Sequence, residues 1–71
     1  MVVYRGFRIN VVKWLEYGWY GEITGEADAL CMTTRHIYPT AEAATSEVER
    51  MVDIMIENGF TPESRFPKDE D

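Results

Sequence analysis

The order of apolar and polar positions divides this chain into an extended half and a helical half. From Phe7 the side chains alternate, with Phe7, Ile9 and Val11 on one face and Arg8, Asn10 and Val12 on the other. A period of two built from β-branched and aromatic residues predicts a half-buried strand. Gly6 predicts a bulge or tight turn after Val2-Val3-Tyr4, and Glu16-Tyr17-Gly18 predicts a second turn in which Gly18 can take positive φ. Trp19 to Thr24 alternates again, setting Trp19, Gly21 and Ile23 against Tyr20, Glu22 and Thr24. Gly25-Glu26-Ala27-Asp28 breaks the pattern as a third turn. Leu30 to Arg35 resumes it, with Leu30, Met32 and Thr34 opposite Cys31, Thr33 and Arg35. Connections this short join antiparallel neighbours.

Beyond Tyr38-Pro39 the period changes. Ala41, Ala44, Val48, Met51, Val52 and Met55 recur at spacings of three and four, one helical stripe opposed by Glu42, Ser46, Glu49, Asp53 and Glu57. Thr40 is placed to cap the N-terminus. Asn58-Gly59-Phe60 fits a Schellman stop, with Gly59 at C′ and Phe60 turned back towards Met55, and Pro62 bars continuation. A helix over about residues 41–58 is marginal in isolation, so burial must hold it. Val48 and Met51 are therefore expected in the core, and Met51→Ala is expected to cost about 2–5 kcal/mol.

These elements predict an α+β fold: a three-stranded antiparallel β-meander with one C-terminal amphipathic helix packed on one face. Residues 1–60 form the single βββα domain, and 61–71 a charged, loosely ordered C-terminal tail. The covered face is expected to hold Phe7, Ile9, Val11, Trp19, Ile23, Leu30 and Met32. The open face then shows Arg8, Asn10, Val12, Tyr20, Glu22, Cys31, Thr33 and Arg35, with Trp14 on the same side by alternation.

With 71 residues the margin of stability is small. Chains of this size often rely on disulfides, a metal or a partner. Cys31 is the only cysteine and His36 the only histidine, so neither an internal disulfide nor a closed zinc site of nitrogen and sulfur ligands can form. Packing and association remain. Apolar residues make up 45% and charged residues 28%, the balance of a globular rather than a disordered chain. Arg5 and Arg8 interrupt the first apolar stretch before a signal-peptide core could form, and no run approaches the roughly 20 apolar residues of a membrane span. A cytoplasmic location is expected, and a lone thiol suits a reducing compartment.

The net charge of −6 is unevenly placed: residues 1–20 sum to +2 and residues 21–71 to −8. An acidic chain repels phosphate backbones, which argues against generic nucleic-acid binding. Cys31 and His36, five positions apart along an extended segment, stand about 16 Å apart and cannot form a nucleophile–base pair. Glu22, Glu26 and Asp28 flank one turn without EF-hand spacing, and the helix carboxylates read as a solvated outer face or a strip for a basic partner. No catalytic, cofactor-binding or metal-binding residue is assigned. The open sheet face carries the candidates for partner contact: Arg8, Val12, Trp14, Tyr20 and Arg35. Cations with aromatic faces could also serve a single-stranded nucleic-acid platform, but Glu22 lies in the middle, and the same residue types are enriched in protein interfaces.

At Tyr38-Pro39-Thr40-Ala41-Glu42-Ala43-Ala44 the chain resembles small bacterial βββα proteins such as the HicB-like antitoxins, in which a short sheet ends in a Thr-x-Glu-Ala-type helix start. The order of elements matches over residues 2–58. Where that family carries a Pro-x-x-Pro-Gly-Cys-like stretch between the middle strands, Gly25-Glu26-Ala27-Asp28 stands here, and no functional residue is carried over. The expectation is a small non-enzymatic protein-interaction or regulatory module of antitoxin or adaptor type, without cofactor, membrane contact or small-molecule substrate. Its partner is another protein or a second copy in a homodimer; the alternative is a nucleic-acid-binding module using the open sheet face.

Overall fold

A computed structural model describes residues 2–26 and 31–63. Among them the chain forms β1 (Val2–Tyr4), β2 (Phe7–Trp14), β3 (Gly18–Thr24), β4 (Cys31–Thr33) and α1 (Ala41–Glu57). The strands make one antiparallel sheet in the order β1-β2-β3-β4, a meander with the helix on one face. The α+β architecture expected from the pattern is the one observed. The sheet has four strands rather than three. Val2-Val3-Tyr4 is itself a strand, because Arg5 and Gly6 both take positive φ (53° and 93°) and close a two-residue hairpin. Leu30 and the turn at Ala27-Asp28 lie outside the described residues.

Register follows the alternation. Ile9 pairs with Ile23 and Val11 with Gly21 beneath the helix, while Val12 pairs with Tyr20 and Asn10 with Glu22 on the opposite face. The core joins Phe7, Ile9 and Ile23 of the sheet to Val48, Val52 and Met55 of α1, with Tyr4, Met51, Ile56 and Phe60 packed around it. Val11 and Trp19 are only half-buried, and Met32, expected beneath the helix, is exposed. One helix cannot cover four strands. α1 lies mainly over β3 and β2 and covers β4 least. Met51 is likewise half-buried at the margin of the core rather than central to it.

Close approach of α1 to the sheet depends on Gly21. A Cβ there would overlap Val48 Cγ2 outright. The helix ends behave as their residues dictate. Thr40 Oγ1 accepts from Ala43 N–H at 3.0 Å. At the other end Gly59, at φ 93°, donates to Ile56 C=O, and Phe60 N–H donates to Met55 C=O at 2.9 Å, the paired bonds of a Schellman stop. The chain then crosses back to the sheet. Pro62 C=O accepts from Glu26 N–H at 2.7 Å and its ring lies against Gly6, which ties the chain back to the sheet at that residue.

The acidic face of α1 is not simply solvated. Asp53 Oδ1 accepts from Arg5 Nη1 at 2.8 Å and from Tyr4 Oη at 3.1 Å, tying the β1–β2 turn to the helix. The Arg5 guanidinium, helped by the Tyr4 hydroxyl, holds the Asp53 carboxyl below its ordinary range, and Asp53 in turn pushes the Tyr4 phenol up.

Candidate interaction face

Three of the residues expected at a partner surface stand together on the open side of the sheet. Val12 and Tyr20 are direct cross-strand partners, and Trp14 is diagonal to Tyr20. The Trp14 and Tyr20 rings meet edge to face, centroids 6.1 Å apart and planes at 76°. Such a pair contributes about 0.5–1.5 kcal/mol beyond its area. The pair is nonetheless not sealed, since Trp14 keeps 48% of its surface in solvent.

Strict alternation had no means of showing the hairpin tip. Leu15, Glu16 and Tyr17 connect β2 to β3, closed by Tyr17 N–H donating to Trp14 C=O at 2.9 Å. Leu15 sits at φ 52°, in the left-handed region that suits glycine or asparagine and costs a branched aliphatic side chain about 1 kcal/mol or more. Its side chain is 67% exposed and that of Tyr17 is 73% exposed, so neither is held there by core packing. Trp14, Leu15 and Tyr17 thus each expose apolar surface at the end of the β2–β3 hairpin, where Glu16 also stands. The sequence signal was present in Trp14-Leu15-Glu16-Tyr17, an apolar turn where polar turn residues are the norm.

Arg8 is on the same face but at the far end of β2. Its Nη2 donates to Gly25 C=O at 2.6 Å, which ties the side chain to the end of β3. Between the two ends Asn10 and Glu22 are cross-strand partners, with Asn10 Nδ2 3.5 Å from Glu22 Oε1. The face is therefore electrically mixed along its length.

Arg35 does not belong to this face. β4 ends at Thr33, because Thr34 is buried and turns its hydroxyl to the sheet. Thr34 Oγ1 accepts from Gly21 N–H at 3.2 Å and donates to His36 C=O at 3.1 Å. Pairing resumes only at Tyr38, which exchanges two backbone hydrogen bonds with Trp19 (2.7 and 2.8 Å). Three residues, Arg35, His36 and Ile37, thereby stand opposite the single residue Tyr20 and are pushed out of the sheet. Arg35 ends beside α1, in a groove it lines with Met32, His36, Tyr38, Glu47 and Met51.

No group of three or more histidine, cysteine or acidic side chains is close enough to hold a metal among the described residues. Asp28, one member of the expected acidic turn, and the Cys31 side chain lie outside them. No described helix is long and apolar enough to cross a membrane. In comparisons with known proteins, no family model, curated protein or solved structure matches the chain.

Proposed function

We propose that the chain is a non-enzymatic protein-interaction module of the adaptor or antitoxin type, whose contact surface is the open β2–β3 face and whose first partner is a second copy of itself. The observation that carries this reading is the exposed apolar surface at the hairpin end: Trp14, Leu15 and Tyr17 in solvent, with Trp14 in ring contact with Tyr20. Aromatic anchors of this kind dominate interface energetics. The fold has little else to spare. Its buried core is six side chains and Ala44, fewer than the eight large apolar residues exposed among the described ones. That balance favours association.

A second copy suits the face electrically. Within the strands Arg8 and Glu22 are its charged groups and they balance, Glu16 adds one carboxylate at the hairpin tip, and the carboxylates of α1 lie on the other side of the sheet. Two open faces can therefore meet about a two-fold axis without setting acidic surfaces against each other. Glu22 in the middle of the face weighs against a single-stranded nucleic acid, whose phosphates it would repel. The test uses Trp14 as its own reporter. In a Trp19→Phe background, raising the protein concentration from about 1 to 100 μM should shift Trp14 emission to the blue, since micromolar association is the range of small interfaces. A spectrum unchanged over that range would refute self-association through this face.

A further inference from the structure

We infer that the groove between β4 and α1 is a second, independent docking site, and that it takes an extended peptide segment carrying an apolar residue and, two positions away on the same face, a carboxylate. The inference does not rest on the open-face reading, because the groove lies at the sheet edge on the helix side.

The groove arises from the mismatch between a four-stranded sheet and one helix. α1 rides mainly over β2 and β3, so the helix-side surface of β4 is only partly covered and Met32 is 39% exposed. Met32 of β4, then Arg35, His36 and Tyr38, line the groove with Met51 and the Glu47–Arg50 pair of α1. The space is about 420 Å³, enough for a few side chains. Methionines on two sides make an adaptable apolar lining.

The backbone of β4 supplies a docking edge. β4 is the last strand in the sheet order. Thr34 N–H donates to Gly21 C=O at 2.9 Å, and Met32 pairs with Ile23 two places on. In an antiparallel ladder hydrogen-bonded pairs alternate, so Met32 directs its backbone groups at β3 while Cys31 and Thr33 direct theirs outward. An incoming strand can bond to those groups and place alternate side chains over Met32.

Charge chooses the occupant. Arg5 is paired with Asp53, Arg50 with Glu47, Arg8 donates to Gly25 C=O, and Lys13 Nζ lies 6.0 Å from the Trp19 ring centroid. Arg35 is the described cation with no such partner among the described residues. Glu47, the carboxylate in the groove, is already held by two bonds from Arg50, at 3.1 and 2.7 Å. In a chain of net charge −6, this groove ends on an uncommitted guanidinium, and a carboxylate is its complement.

The test uses two blocked, fluorescein-labelled hexapeptides with serine at every second position, the intervening positions alternating valine with glutamate in one and valine with lysine in the other, so that both side chains share one face. They are titrated into the Tyr20→Glu variant so that open-face association plays no part. Backbone amide shifts are followed by NMR alongside anisotropy. The glutamate peptide should perturb Thr33, Arg35 to Tyr38 and Glu47 to Met51 at submillimolar concentration, and the lysine peptide should not. Arg35→Glu should weaken the glutamate peptide about fivefold or more, with unchanged circular dichroism. The proposal fails if neither peptide perturbs the groove at millimolar concentration, or if both bind alike and Arg35→Glu changes nothing. It also fails if Tyr20→Glu remains dimeric through β4, or if single-stranded oligothymidylate binds the groove in preference to the peptide. Each of these results is readable whether or not the wild-type chain dimerises.

Discussion

Replacing Gly21 with alanine adds one methyl group at the tightest point between sheet and helix. The new Cβ would overlap Val48 Cγ2, with Val48 Cβ and Thr34 Cγ2 each 3.5 Å away. Carbon atoms rest about 3.5–4.0 Å apart, so one side must yield by roughly 1.5–2 Å. Val48 is fully buried in mid-helix, where a β-branched side chain has one strongly preferred rotamer and cannot simply turn aside. The helix has to lift from β3 or Val48 has to leave its rotamer. Overpacking of this kind costs about 1–3 kcal/mol, and the lack of any yielding group places Gly21→Ala at the upper end. For a domain of this size 3 kcal/mol lowers the melting temperature by about 12–24 °C. Alanine is otherwise at least as acceptable as glycine within a strand, so propensity acts in the opposite direction. Urea unfolding followed by circular dichroism measures the loss. Val48→Ala should then act as a suppressor, since it removes the methyl groups in conflict: the double variant should lie well above the sum of the single losses. Gly21→Ala within about 0.5 kcal/mol of wild type, or strict additivity with Val48→Ala, would refute the close packing of α1 on β3.

Leu15→Gly should leave stability unchanged or raise it by up to about 1 kcal/mol, because it relieves the left-handed backbone and removes a mostly exposed side chain. A loss of more than 1 kcal/mol by thermal melting would show Leu15 packed into the fold. Acid should weaken the domain through two carboxyls held low, Asp53 by the Arg5 guanidinium and Glu47 by that of Arg50. A carboxyl whose pKa is lower in the folded chain than in the unfolded one stabilises the fold above the unfolded value, and that contribution drains away as pH falls through the folded value. The urea midpoint should therefore fall from about pH 5 downwards, and less steeply in Asp53→Asn. An identical pH profile for the variant would show that the Arg5–Asp53 contact is not kept in solution.

The helix was the most legible part of the chain because each of its signals has a local cause. Thr40, the three-four spacing of Ala44, Val48, Val52 and Met55, and Gly59 before Phe60 act within one or two turns, and each does what its chemistry requires. The strands were legible in period but not in extent. Val2-Val3-Tyr4 is too short to show alternation, and its pairing depends on Arg5 taking positive φ, which no periodicity reports. The excursion at Arg35 escaped for a related reason. It is produced by the Thr34 hydroxyl bonding to Gly21 and by Tyr38 pairing with Trp19, contacts between residues far apart in the chain. The Val12, Trp14 and Tyr20 cluster followed from alternation alone, whereas the groove depends on where the helix lies across the sheet.

The central claim is that the open β2–β3 face is a contact surface for a second copy. Tyr20 stands at its middle, paired with Val12 and in ring contact with Trp14, and it reaches no buried core residue on the helix side. Sedimentation equilibrium of wild type and Tyr20→Glu, at tens of micromolar and with matched circular dichroism, tests the claim directly. Wild type should sediment at twice the 8.2 kDa chain mass, and Tyr20→Glu as a folded monomer. A wild-type monomer, or a dimer that Tyr20→Glu leaves intact, would contradict it.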